Sequence, residues 1–66
     1  MEIGKTYVVS HSRKGKFTLH VTSMSDEWVT GVIVDGTAGA MMEYNEKYKG
    51  EELTARKSFI RVVEEL

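Results

Sequence analysis

The chain has 66 residues, of which 41% are hydrophobic, and nine Lys/Arg against ten Asp/Glu give a formal net charge of −1. That length holds one domain, residues 1–66, and a domain of this size buries only about 60% of the surface its unfolded chain exposes. The absence of cysteine excludes disulfides and thiolate metal sites, two histidines are too few for a structural zinc, and near-neutrality argues against strong non-specific nucleic-acid binding, whose affinity comes from neutralised phosphates.

No apolar run approaches the roughly 18 residues of a membrane span. The opening "MEIGKTYVV" lacks a basic segment followed by an apolar one, so it does not read as a signal peptide and a cytoplasmic location is expected. A scaffold this small without staples often needs a second subunit, so a homo-oligomer is expected.

In chain order, "TYVVSH" (Thr6–His11) is β-branched and aromatic and predicts a first strand. "SRKG" follows as a turn ending in Gly15. "KFTLHVTSM" (16–24) alternates with period two: Phe17, Leu19 and Val21 point one way, and Thr18, His20 and Thr22 the other. After the polar "SDE" comes "WVTGVIVDG" (28–36), apolar on both faces. Trp28, Val32 and Val34 alternate there with Val29 and Ile33, so a strand covered on both sides is expected, by barrel closure or by a partner. Gly31 in its middle predicts a bulge or sharp bend.

In "TAGAMMEYNEKYKG", Ala38, Met41, Tyr44 and Tyr48 fall near helical spacing and Glu43 and Lys47 pair at i,i+4, so a short helix over 40–48 is expected. A strand followed by a long loop is the competing reading. "EELTAR" (51–56) and "SFIRVVEE" (58–65) read as two last strands. The expected fold is mainly β: a small, five-stranded, partly open barrel of the Src-homology-three (SH3)-like kind with one short helix, with an oligonucleotide-binding-type barrel as second choice.

Two short motifs are decoys. "GKT" at Gly4, Lys5 and Thr6 copies the end of a P-loop but lacks the upstream glycine and the following helix. "GTAG" at 36–39 lacks the third glycine and distal acid of a dinucleotide fingerprint. Serines, histidines and aspartates occur without the spacing of a nucleophilic triad, so no catalytic residue is assigned and no enzyme, cofactor or metal site is expected.

Two basic clusters stand out: Arg13, Lys14 and Lys16 in the first hairpin, and Arg56, Lys57 and Arg61 around Ser58. Arginine grips phosphate through a planar fork. "SRKG" also supplies backbone N–H groups beside a glycine, which can form an anion-binding nest. If barrel closure brings the two turns together, both clusters face one pocket; otherwise they are solvated turns. A nucleotide base would stack on a ring, and Tyr44 and Tyr48 with Asn45 are the candidates. Tyr7 and Trp28 have stronger claims as core. The expected ligand-binding set is Arg13, Lys14, Lys16, Tyr44, Asn45, Tyr48, Arg56, Lys57 and Ser58.

A cysteine-free, β-rich chain this short, with "HSRKGKF" near its start and "GEELTARKSF" near its end, resembles the small open-reading-frame products of tailed bacteriophages. The resemblance spans most of the chain and carries no catalytic motif. It implies a role in the host cytoplasm as an antagonist of bacterial immunity, either binding a host immune protein or sequestering a nucleotide signal as an oligomeric sponge. It transfers no residue assignment. The expected function is thus a non-enzymatic homo-oligomer that sequesters a nucleotide-type anion. The alternatives are a nucleic-acid-binding small barrel, or a protein-binding inhibitor or adaptor of a host factor.

Overall fold

The computed structural model of the chain describes residues 1–34 and 48–66. Five strands form one antiparallel sheet: β1 (Thr6–His11), β2 (Gly15–Met24), β3 (Trp28–Ile33), β4 (Glu52–Arg56) and β5 (Ile60–Glu65), in the order β4-β3-β2-β1-β5. A single 3-10 turn, Lys57–Phe59, joins β4 to β5. The expected helix over 40–48 lies outside the described residues except for its last position, Tyr48. No helix among the described residues is long and apolar enough to cross a membrane.

The fold is mainly β, and the sheet is open, with β4 and β5 as its outer strands. It is nevertheless strongly curled at one end. Five strands laid flat span about 19 Å at a spacing of about 4.8 Å. The step from Arg56 to Ile60 covers at most about 14 Å of chain. The two outer strands therefore approach one another across the 3-10 turn. This crossing is also why the last strand begins at Ile60: Ser58 and Phe59, expected as strand, make the tight turn between two edges. The main-chain N–H of Lys57 donates to the Glu27 carbonyl (2.8 Å) and that of Ser12 to the Phe59 carbonyl (2.9 Å), which fastens the turn to both ends of the sheet.

Curling sends alternate residues inward. Tyr7, Val9, Phe17, Leu19, Val21, Val29 and Ile33 form the core, and Met24, Tyr48, Leu53 and Ile60 pack against it. The period-two reading of β2 holds for Phe17, Leu19 and Val21. Thr18, on the other face, is buried as well, beside its cross-strand partner Val8. On that face the Thr6 hydroxyl and His20 Nδ1 share a hydrogen bond of 2.9 Å.

The bulge or bend expected at Gly31 takes the form of a register shift whose extra residue, Thr22, lies on the facing strand. The β2–β3 register shifts between Val21 and Ser23, opposite Gly31 and Thr30. A Cβ on Gly31 would run into the His20 carbonyl oxygen and stand 2.9 Å from the Leu19 side chain. Only a residue without a side chain lets the two backbones approach this closely. On β3, Val29 and Ile33 face the core, whereas Val32 is half-buried, like Val34 just past the strand, and Trp28 is 41% exposed. The tryptophan is therefore not a core residue. It begins the strand at the rim of the curled end, where it meets Arg56 of β4.

Candidate functional site

The turn after β1 is organised by a histidine. His11 ends the strand with 7% of its surface exposed. Its Nδ1 accepts the backbone N–H groups of Arg13 (3.0 Å) and Lys14 (3.2 Å), and its ring meets Phe59 edge-on, with centroids 5.9 Å apart. A nitrogen that accepts two hydrogen bonds carries no proton, so the ring is neutral with its hydrogen on Nε2. Burial pushes the imidazole below its ordinary value of 6.5, and the charges of Lys14 and Arg13 push it the same way. The N–H groups of this turn are therefore taken up by His11 rather than presented as an open nest.

Gly15 closes the turn at φ +82°, in the left-handed region. Pairing His11 with Gly15 aims the intervening Arg13 and Lys14 toward the 3-10 turn. On the far side, Trp28 of β3 lies opposite Arg56 of β4, and the guanidinium rests 4.9 Å from the indole centroid, a cation–π contact. Glu27 holds the same guanidinium at 3.7 Å. Both members of that ion pair are largely exposed, so it is weak and open to exchange.

These groups surround a cavity of about 250 Å³ lined by His11, Arg13, Lys14, Trp28, Arg56 and Phe59, with Thr54 and Ala55. A second cavity, of about 220 Å³, is lined by Asp26, Glu27, Arg56, Lys57 and Ser58, so Arg56 belongs to both. The two basic clusters do meet, through Arg13, Lys14 and Arg56. Lys57 and Ser58 reach only the second cavity. Lys16, opposite Ser10 on β2, and Arg61 on β5 are exposed and line neither. Tyr48 packs against the core and lines neither, while Tyr44 and Asn45 lie outside the described residues.

The aromatic half of the site comes from residues the sequence pattern assigned elsewhere. His11 reads as a strand-face residue, Trp28 as core, and Phe59 as part of a final strand. A turn histidine two and three residues ahead of its N–H donors is the signal for His11. Nothing local marks Phe59, because its place depends on the 3-10 crossing. Chemically, the cavity offers fixed positive charge beside ring and apolar surface, which suits an anion with a flat or apolar portion.

No protein-family model, no curated protein and no solved structure matches the chain.

Proposed function

We propose that this protein is a non-enzymatic binder of a nucleotide-type anion, with the phosphate gripped between Arg13 and Arg56 and the base against the Trp28–Phe59 side of the cavity. The observation that carries the reading is the convergence of two arginines, a lysine and two aromatic rings from three separate stretches of chain. A space of about 250 Å³ is near the lower end of small-molecule sites and suits one nucleotide unit. A holding rather than a transforming role is supported by His11, the one imidazole lining the cavity among the described residues, whose Nδ1 is taken up by the turn when no ligand is bound.

The strand order β4-β3-β2-β1-β5 and the 3-10 turn between the outer strands support an SH3-like small barrel as the fold type. Exposed apolar side chains at Phe59, Val62 and Val63 support a homo-oligomer, and a sequestering role against host nucleotide signals is the one such an assembly would serve.

Trp28 is the only tryptophan, so its fluorescence reports directly on the site. Adenosine monophosphate is expected to quench it saturably, and adenosine, which lacks the phosphate, to do so far more weakly. Equal responses to the two, or none, remove the reading. Single-stranded nucleic acid is the second reading, favoured by rings and cations on one open surface. It requires affinity that rises with oligonucleotide length and falls steeply with salt.

A further inference from the structure

Two successive backbone N–H groups, of Arg13 and Lys14, converge on a single point at 3.0 and 3.2 Å, and the acceptor there is a titratable ring nitrogen. Converging N–H groups of a turn are the geometry of an anion nest. Here the place of the anion is taken by the imidazole of a residue that itself lines the cation-rich cavity. We infer that anion binding in this cavity is coupled to proton uptake at His11, which releases the two N–H groups and adds a further positive charge to the site.

The exchange is balanced by one proton from solvent. Neutral His11 accepts at Nδ1 and donates only through Nε2. A proton added at Nδ1 turns both ring nitrogens into donors. An Nδ1–H facing two N–H donors is repulsive, so the ring must turn away and leave the pair unoccupied. In the empty site this costs two hydrogen bonds and places an imidazolium among cations, so His11 stays neutral. An anion reverses both penalties: it accepts the freed N–H groups and neutralises the imidazolium.

The charged groups that act on His11 are Lys14 and Arg13 on its own turn, and Arg56 of β4 lines the same cavity; on the elements packed against it, Lys16 of β2, Lys57 of the 3-10 turn and Arg61 of β5 are the nearest charged residues along the chain. All of these are cations. Glu27 faces Arg56, and no carboxylate lines the cavity among the described residues. His20 bonds Thr6 and is not part of the cavity lining. The sign of the coupling therefore follows from His11 alone.

The inference rests on the anion-binding reading above, and the test separates the two. Cyclic AMP is the probe, because its phosphodiester keeps one charge across the interval of about pH 5 to 8 in which histidine titrates. Affinity is read from Trp28 fluorescence, and the protonation of each histidine from its ring-proton NMR resonance. Cyclic AMP is expected to bind roughly fivefold more tightly at about pH 5.5 than at about pH 7.5, and saturating cyclic AMP to raise the His11 midpoint by about a pH unit. His11→Gln should abolish the pH response and His20→Gln should preserve it. Saturable binding with an unmoved His11 midpoint and equal affinity at both pH values overturns the coupling and leaves the anion site standing. No saturable binding at either pH overturns both. If His11→Gln fails to fold, the midpoint of the unaltered protein with and without cyclic AMP decides the question.

Discussion

Arg56 has three claims on one guanidinium: the Trp28 ring at 4.9 Å, the Glu27 carboxylate at 3.7 Å, and any anion in either cavity. The ring contact leaves the guanidinium edge available, so it pre-orients the group without consuming it. Arg13→Ala and Arg56→Ala each remove a charge-assisted contact of about 1.5–3 kcal/mol, which predicts a ten- to hundredfold loss of nucleotide affinity in a Trp28 fluorescence titration. Their melting temperatures should stay close to that of the parent, because exposed charges contribute little to folding. Glu27→Gln should act in the opposite direction. It removes a competitor worth up to about 1 kcal/mol, so affinity should rise by at most about fivefold; a fall would show that Glu27 helps to place Arg56. At His11 the sign of the stability effect follows from the lowered proton affinity of the folded ring. The unfolded chain takes its proton first, so the contribution of His11 is complete above its ordinary value of 6.5 and is lost as pH falls through the lower folded value. Without ligand, the urea midpoint should therefore drop between about pH 7.5 and pH 5.5, and His11→Gln should flatten that drop.

Among the elements, the β1–β2 hairpin and the β2–β3 bulge depend on glycine for different reasons. Gly15 has open space where a Cβ would stand, but its φ of +82° is unfavourable for any residue with a side chain. Gly15→Val should destabilise the fold by at least about 1–2 kcal/mol through backbone conformation alone. Gly31 lies against the His20 carbonyl and the Leu19 side chain, so Gly31→Val forces the β2 and β3 backbones apart. Overpacking of this kind costs roughly 1–3 kcal/mol or more, and Gly31→Val is expected to be the worse of the two in thermal unfolding. Equal Tm losses would mean that the β2–β3 contact relaxes freely. Both sites were legible beforehand, one as the end of "SRKG" and one as a glycine within an apolar strand, because turns and close backbone approaches leave local marks. The inward set Phe17, Leu19 and Val21 is legible from its period-two alternation, which is likewise a local pattern.

At the scale of the whole molecule, a core of this size leaves Ile3, Trp28, Phe59, Val62, Val63 and Leu66 substantially exposed. Self-association by simple strand addition is hampered along β5, where the pairing with β1 is irregular between Val8 and Val9 and passes over Val63. Such an irregularity disrupts the regular ladder that edge pairing needs. Association is therefore expected to proceed through side chains, with at least a dimer at high micromolar concentration. A 7.5 kDa species across the whole concentration range in sedimentation equilibrium would end that expectation.

The sequence by itself determined the β class, the positions of β1 and β2, the irregularity beside Gly31 and the two concentrations of positive charge. Each follows from alternation, from glycine or from composition, and these act over a few neighbouring residues. The partnership of the charges required the tertiary structure. Arg13 and Arg56 are separated by most of the chain, and they share a cavity because a three-residue turn draws the two edges of the sheet together. The same curl turned Trp28 from an expected core residue into a wall of the site, and brought Phe59 against His11. Which face of a strand is buried depends on how the whole sheet bends, and that bend is the sum of register shifts and crossings that no single window of sequence contains.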